Sequence, residues 1–302
     1  MGLSLRPFVD LPPVQWCEHT PDSQYHGTAV VFDGSRFIYW LRGYNANHFR
    51  RYDVIADTHQ YLSGAPWNAQ QGAMLALDPS RGRIWAIQGN GGTGFAYYDL
   101  STQAWTSVAA LPAASSWGSW IVHTCSALKA GANDDAIYYA PANGSSALYR
   151  YSVSGNSFTA LASAPASLSS GSVGVWPYNW DSDKILVIRG GGTTTMYLYS
   201  ISGNSWSTYS YRPAFFGFGT GTFAVYDPET NYVYINLNEG YRYIYRLKLE
   251  TGELEPFART PIAYSREARR LAIVKVDGRK FLYVFRGYEY SPYAVWRIPI
   301  FY

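Results

Sequence analysis

One pattern recurs six times along the 302 residues, and few folds can satisfy it. Each unit opens with an apolar strand, an Asp-marked turn and a second, more apolar strand. A Gly-rich break follows, then a strand carrying Tyr and, in the better-kept units, an aromatic seven residues further on. The Tyr-type strands are Phe49–Asp53, Phe95–Asp99, Leu148–Ser152, Met196–Ser200, Ile244–Lys248 and Val295–Pro299, and Pro12, Pro66, Pro112, Pro165, Pro213 and Pro261 punctuate the chain at intervals of 46 to 54 residues. A repeat of this length built from four short strands buries its faces by stacking on its neighbours, and points to an all-β ring of six blades, a β-propeller. The units fall at about 26–66, 70–112, 117–165, 171–213, 217–261 and 267–302. The chain is therefore read as one closed domain.

Within a unit the local chemistry agrees with the period. The second strands, such as Phe37–Leu41, Ile84–Ile87 and Ile185–Ile188, are near-continuous apolar runs, as strands covered on both faces require. Asp33-Gly34, Asp78-Pro79, Asp227-Pro228 and Asp277-Gly278 mark the first turns, where the Asp side chain caps the backbone. Ser154-Gly155-Asn156-Ser157 and Ser202-Gly203-Asn204-Ser205 repeat almost verbatim at the third-to-fourth hairpin. The sixth unit ends at Ile300-Phe301-Tyr302 without a fourth strand. Ser4–Pro13 resembles Thr102–Ala113 and is expected to complete that blade, so that 3–13 joins 267–302 and the ring has no open edge.

Aromatic residues make up 18% of the chain and charged residues 15%, a balance that suits half-buried strands. Cys17 and Cys125 fall in different units and are expected to be reduced structural thiols. The first residues lack the apolar core of a signal peptide, and no stretch reaches the length of a membrane span. The expectation is synthesis in the cytoplasm with no membrane insertion. The net charge of +3 is unevenly spread: residues 241–302 hold twelve Arg and Lys against six Asp and Glu, whereas 101–180 hold only Lys129, Asp134, Asp135 and Arg150. Such asymmetry bears on partners rather than fold.

The unit resembles the kelch repeat over nearly the whole chain. Gly190-Gly191, Tyr199 and Trp206 match the kelch pattern in full, and Gly91-Gly92, Tyr98 and Trp105 nearly so. The other units degrade, as in Gly43-Tyr44 with Tyr52, Asn143-Gly144 with Tyr151 and Phe158, and Gly287-Tyr288 with Ile298. The resemblance implies a recognition face formed by the second-to-third loops and the segments joining one blade to the next. It extends to galactose-oxidase-like copper enzymes, whose Tyr–Cys crosslink and Tyr and His ligands raise the question of a metal. Cys17, His19, His26 and His48 gather in the first unit, but their spacing matches no recognised metal pattern, and no cofactor is expected. No Gly-x-Ser-x-Gly elbow sits between a strand and a helix, and the Gly-rich breaks lack the helix that a phosphate loop opens.

A non-enzymatic binding role is the expectation that remains. On the implied face the second-to-third loops offer Tyr44, Asn45, His48, Asn90 and Asn143, then Glu239, Tyr241 and Arg242, then Tyr288, Glu289 and Tyr290. The inter-blade segments add Trp67, Trp117, Phe215, Tyr264 and Arg266. These residue types favour protein interfaces and sugar sites. Arg259, Arg269, Arg270, Arg279 and Lys280 are expected to form, with Arg266, a basic patch suited to an acidic partner. Nucleic acid is disfavoured because no nucleic-acid-binding motif accompanies them. The reading is a structural, protein-binding component of a larger assembly, such as a virion, with a lectin-like propeller as the alternative and a sugar-processing enzyme behind it.

Overall fold

The apolar second strands become the middles of six four-stranded antiparallel sheets. The protein, described here by a computed structural model, is described over residues 15–17, 28–125, 127–129, 135–211, 217–237, 241–261, 269–286 and 295–301. Strand β1 (Gln15–Cys17) stands apart from its neighbours in sequence. Blade 1 is β2 (Ala29–Phe32), β3 (Phe37–Leu41), β4 (Phe49–Asp53) and β5 (Thr58–Tyr61). Blade 2 is β6 (Met74–Asp78), β7 (Arg83–Ile87), β8 (Phe95–Asp99) and β9 (Ala104–Ser107). Blade 3 is β10 (Trp120–Thr124), β11 (Ala136–Ala140), β12 (Tyr149–Ser152) and β13 (Ser157–Ala160). Blade 4 is β14 (Val173–Val175), β15 (Lys184–Ile188), β16 (Met196–Ser200) and β17 (Ser205–Thr208). Blade 5 is β18 (Phe223–Asp227), β19 (Tyr232–Asn236), β20 (Tyr243–Lys248) and β21 (Glu253–Arg259). Blade 6 is β22 (Arg269–Val276), β23 (Arg279–Arg286) and β24 (Val295–Ile300), completed by β1. The six first strands touch in the order β2, β6, β10, β14, β18, β22 and back to β2, which closes a six-bladed β-propeller. Among the described residues there is no helix, and none long and apolar enough to cross a membrane.

The chain's N-terminal part does close the last blade, but from a different segment than expected. Gln15, Trp16 and Cys17 pair with Arg297, Trp296 and Val295. The segment that resembled a fourth strand, Ser4–Pro13, lies outside the described residues. Resemblance to another outer strand says little about register here, because pairing is decided by the partner edge that β24 presents.

The repeat's aromatics are the glue between blades. Tyr98 sits directly across from Trp105, Tyr151 from Phe158 and Tyr199 from Trp206, with ring centroids 5.4, 4.9 and 5.0 Å apart. His59 takes the place of the Trp opposite Tyr52, and Leu247 with Leu254 replaces the pair in blade 5. The Trp105 and Trp206 indole N–H groups donate to the Ser63 and Ala162 carbonyls of the preceding blade, each at 2.8 Å. Each such ring pair stabilises by about 0.5–1.5 kcal/mol beyond its buried area. Asn156 and Asn204, in the Gly-Asn hairpins, accept from the Tyr151 and Tyr199 hydroxyls and from the backbone N–H of Ala109 and Ala162 in the blade before. Cys125 is free and buried, and burial raises its thiol pKa.

Candidate functional site

Antiparallel order puts the second-to-third loops and the inter-blade segments on one face of the ring. The first-to-second and third-to-fourth turns lie on the other. On the loop face, four loops are buckled to the following blade by the same exchange of backbone hydrogen bonds. Asn45 N–H donates to the Ala69 carbonyl while Ala69 N–H donates to Ala46. Gly91 and Gly92 do the same with Ser115, Gly144 and Ser145 with Leu168, and Gly192 and Thr193 with Phe218, at 2.6–2.9 Å.

The buckle needs two successive residues in the left-handed region. These are Asn90 and Gly91 (φ +25° and +81°), Asn143 and Gly144 (+51° and +90°), and Gly191 and Gly192 (+66° and +76°). Asn-Gly and Gly-Gly are the residues such type I′ turns select. Asn90 and Asn143 are therefore turn formers first, since Asn is one of the few residues besides Gly that tolerates a left-handed backbone. In blade 1 the pair is Tyr44 and Asn45, both at φ +59°. The Asn45 side-chain oxygen accepts from Gln70 Nε2 at 2.9 Å and Asn68 Nδ2 at 3.2 Å, so its amide serves the blade junction. Tyr44 is different. A bulky residue in the left-handed region is an outlier whose strain costs on the order of 1 kcal/mol. Tyr44 is 55% exposed, so a large part of its ring faces solvent.

The other expected contact residues separate into groups. Exposed His48 places its Nδ1 3.3 Å from Arg42 Nη1. Trp117 is 37% exposed at the mouth of the central channel. Trp67 packs inward at the blade 1–2 junction, 6.5 Å from Trp105 and against Gly94, where a Cβ would lie 2.6 Å from the indole. Tyr241 is half-buried and Arg242 exposed, the latter's carbonyl accepting from Thr260 N–H and Oγ1. Glu239, Tyr288, Glu289, Tyr290, Phe215, Tyr264 and Arg266 lie outside the described residues.

The expected basic patch is not one surface. Arg270 is buried at the loop-face end of β22, its guanidinium 5.0 Å from the Phe223 ring. Arg279 is exposed at the opposite end of the β22–β23 hairpin, roughly 20 Å away at the strand rise per residue. Arg269 occupies the first position of β22, and exposed Arg259 ends β21 with its guanidinium 5.9 Å from Tyr243. Lys280 is 5% exposed, its ammonium 2.7 Å from Asp227 Oδ1 and 3.0 Å from Glu229 Oε2.

Through the ring runs a channel with a narrow and a wide end. At the loop face Gly72, Gly118, Gly171 and Gly221 form a collar around a void of only about 40 Å3. A Cβ on Gly171 would lie 1.7 Å from the Gly219 carbonyl oxygen, so the close backbone approach there excludes any other residue. Below the collar a cavity of about 420 Å3 is walled by Val30, Leu75, Val122, Val175, Ala224 and Ala272 and widens toward the turn face.

Two charge clusters at that wide end were not anticipated. Asp78, the last residue of β6, is fully buried and accepts from Ser80 Oγ at 2.6 Å, Arg81 Nη1 at 3.1 Å and Trp85 Nε1 at 3.3 Å. His123 of the next blade lies 3.8 Å away through Nε2, which is also 3.1 Å from Asp135 Oδ1; its Nδ1 is 3.1 Å from the Leu77 carbonyl. Arg81 forks onto both Asp135 oxygens. Burial opposes ionisation of Asp78, but His123 and the hydrogen bonds outweigh it and its pKa falls. Hydrogen bonding from Arg81 lowers that of Asp135. Asp227, in the equivalent position of blade 5, is held instead by Lys280. The recurring Asp was legible as a turn cap, but the partners that cross to the next blade were not. Among the described residues no group of three or more His, Cys, Asp or Glu side chains could hold a metal ion.

No protein-family model matches the chain, and no curated protein is similar to it in sequence. Among solved structures it is similar in fold to one described as "Structure of YjhT", with a TM-score of 0.64 over 91% of this chain and 94% of that one. The two are 12% identical, so the likeness shows the propeller and no more.

Proposed function

We propose that the protein is a kelch-type propeller that works by binding, as a non-enzymatic scaffold in a larger assembly, and that its loop face docks a protein partner. The six-bladed fold suits a binding or structural role. The observation that carries the finer reading is Tyr44, an exposed aromatic held in a strained backbone on a loop buckled to its neighbour. Strain kept at an exposed position points to use, and a preordered aromatic is a low-cost anchor for an interface. Trp117 and His48 are further exposed residues of the same face. The kelch assignment rests on the Tyr98–Trp105 and Tyr199–Trp206 pairs and on the glycines of the buckled turns. The glycan reading is the weaker, because Asn45 is tied to Asn68 and Gln70 and Trp67 packs inward.

The test is affinity capture from the native source with the intact protein and with Tyr44→Asn, the residue two other turns carry at that position. Loss of the captured partner from a variant that still unfolds cooperatively supports the reading, and unchanged capture removes it. A virion component, the narrower form, should sediment with purified particles, and absence from them ends that form.

A further inference from the structure

Among the described ion pairs in which a lysine meets a carboxylate, one has both side chains buried. Lys280, the second residue of β23, keeps 3% of its side chain exposed, and Asp227, the last residue of β18, keeps none. The Lys184–Asp183 and Lys275–Glu229 pairs, at 2.9 and 2.8 Å, are open to solvent. Burying two ions is costly, because each loses its water and their mutual attraction returns only part of that loss. The pair also joins two blades. Its members are 53 positions apart, and it ties the end of the inner strand of blade 5 to the first hairpin of blade 6.

The groups around this pair are those that a condensation needs. Lys280 Nζ lies 2.7 Å from Asp227 Oδ1 and 3.0 Å from Glu229 Oε2, so the nitrogen has a carboxyl group beside it and a second carboxylate to carry its protons. Lys275 bonds the other Glu229 oxygen at 2.8 Å and steadies that carboxylate in place. The Thr230 hydroxyl donates to Asp227 Oδ2 at 2.8 Å, where negative charge gathers when a nucleophile adds to the carbon. Groups held in this way react as if at effective concentrations of about 10⁵ M or more, which drives forward an amide that is unfavourable between free molecules in water. Blade 2 supplies the contrast. Asp78, equally buried in the equivalent position, faces the Arg81 guanidinium and the His123 imidazole, and neither forms a stable amide.

We propose that Lys280 and Asp227 condense to an isopeptide bond, a covalent crosslink between blades 5 and 6, with Glu229 as the proton carrier. The ion pair described above is the reactant of that step. The Lys280 ammonium gives up two protons, which Glu229 relays to Asp227 Oδ1. The nitrogen lone pair forms the bond to Asp227 Cγ, and Oδ1 leaves as water with the electron pair of the broken C–O bond. Oδ2 stays as the amide oxygen beside Thr230. Glu229 ends as it began, and no oxidant, reductant or cofactor enters. Two buried charges are exchanged for one neutral amide, which removes their desolvation penalty. The crosslink staples the blade that the three residues of β1 close, and it does not depend on the docking proposed for the loop face.

The intact mass of the denatured protein, followed by peptide mapping, tests this. The expected mass is one water below that of the sequence, and the map should hold a branched peptide that joins Asp227 to Lys280 and resists trypsin after Lys280. Lys280→Arg keeps the cation but not the nucleophile and should return the full mass. Glu229→Gln, at an exposed position, should leave the fold intact and slow the appearance of the crosslink after cell-free synthesis by about a hundredfold. If Lys280→Arg fails to fold, Glu229→Gln decides. The proposal fails if the unaltered protein has the full mass, or if a missing water maps to other residues or persists in Lys280→Arg. It fails equally if Glu229→Gln condenses as fast as the unaltered protein.

Discussion

Asp78 and Asp227 hold the same place in two blades, are equally buried, and are neutralised by different means. At the blade 5–6 junction one ammonium, that of Lys280, bonds Asp227 and Glu229, and Thr230 Oγ1 adds a hydrogen bond to Asp227 at 2.8 Å. At the blade 2–3 junction the compensation is spread over Ser80, Arg81 and Trp85 of the same blade and His123 of the next, with Asp135 closing the network. The buried Asp227 depends on one cation, Lys280, with Lys275 reaching only the exposed Glu229 at 2.8 Å, whereas Asp78 is held by several partners. Concentrated compensation makes a seam whose failure is abrupt, whereas distributed compensation tolerates the loss of a member.

The largest effect should come from removing the single cation. Lys280→Met leaves the Asp227 carboxylate buried with only neutral partners and should cost about 3–5 kcal/mol in urea unfolding. Replacing both, as Lys280→Met with Asp227→Leu, should recover most of that loss; a double variant as unstable as the single one would mean the seam needs its polar contacts. At the other junction His123→Gln should cost only about 1–2 kcal/mol, because Asp78 keeps Ser80, Arg81 and Trp85. A loss equal to that of Lys280→Met would erase the distinction between the seams.

Acid should strain carboxylate-held contacts while sparing the aromatic ones. Asp53, hydrogen-bonded to Arg36 at 2.8 Å and to the backbone N–H of Ile55 and Ala56, has its pKa lowered to about 2. A depressed carboxyl contributes stability that is present above its unfolded value and lost as pH falls through its folded value. Stability should therefore drop between about pH 4 and pH 2, and Asp53→Asn should flatten that part of the profile by about 1 kcal/mol, a small figure because Arg36 is half exposed to solvent. The smallest effect has the opposite sign. Tyr44→Asn should raise stability by about 0.5–1 kcal/mol through relief of left-handed strain, measured as a higher urea midpoint.

The ring, its six blades and the roles of Tyr98, Trp105, Tyr199 and Trp206 were legible because they follow from a period and from residue types that act locally. Legibility failed where a partner lies one blade away. Asn90 and Asn143 looked like recognition residues because sequence shows their polarity and not their left-handed backbone. Arg270 and Lys280 looked like neighbours in one patch. A hairpin with eight residues in each strand sends them to opposite faces, and both are buried there. His123 and Asp78 are 45 positions apart in sequence and meet only because blades of matched length stack in register. Tyr44 stood out by its residue type and its place in a second-to-third loop, but its left-handed backbone became visible only in three dimensions.

The pairing of Gln15–Cys17 with Val295–Arg297 has a consequence for how the molecule comes into being. Five blades are made of strands adjacent in sequence and can form as the chain emerges during synthesis, whereas the sixth joins segments separated by nearly its whole length. That last step carries the largest loop-closure cost in the fold and must wait until β24 has been synthesised. Until it occurs, β24 presents an unpaired edge to other nascent copies, so aggregation and strand exchange during production should originate at this seam rather than at the five continuous blades.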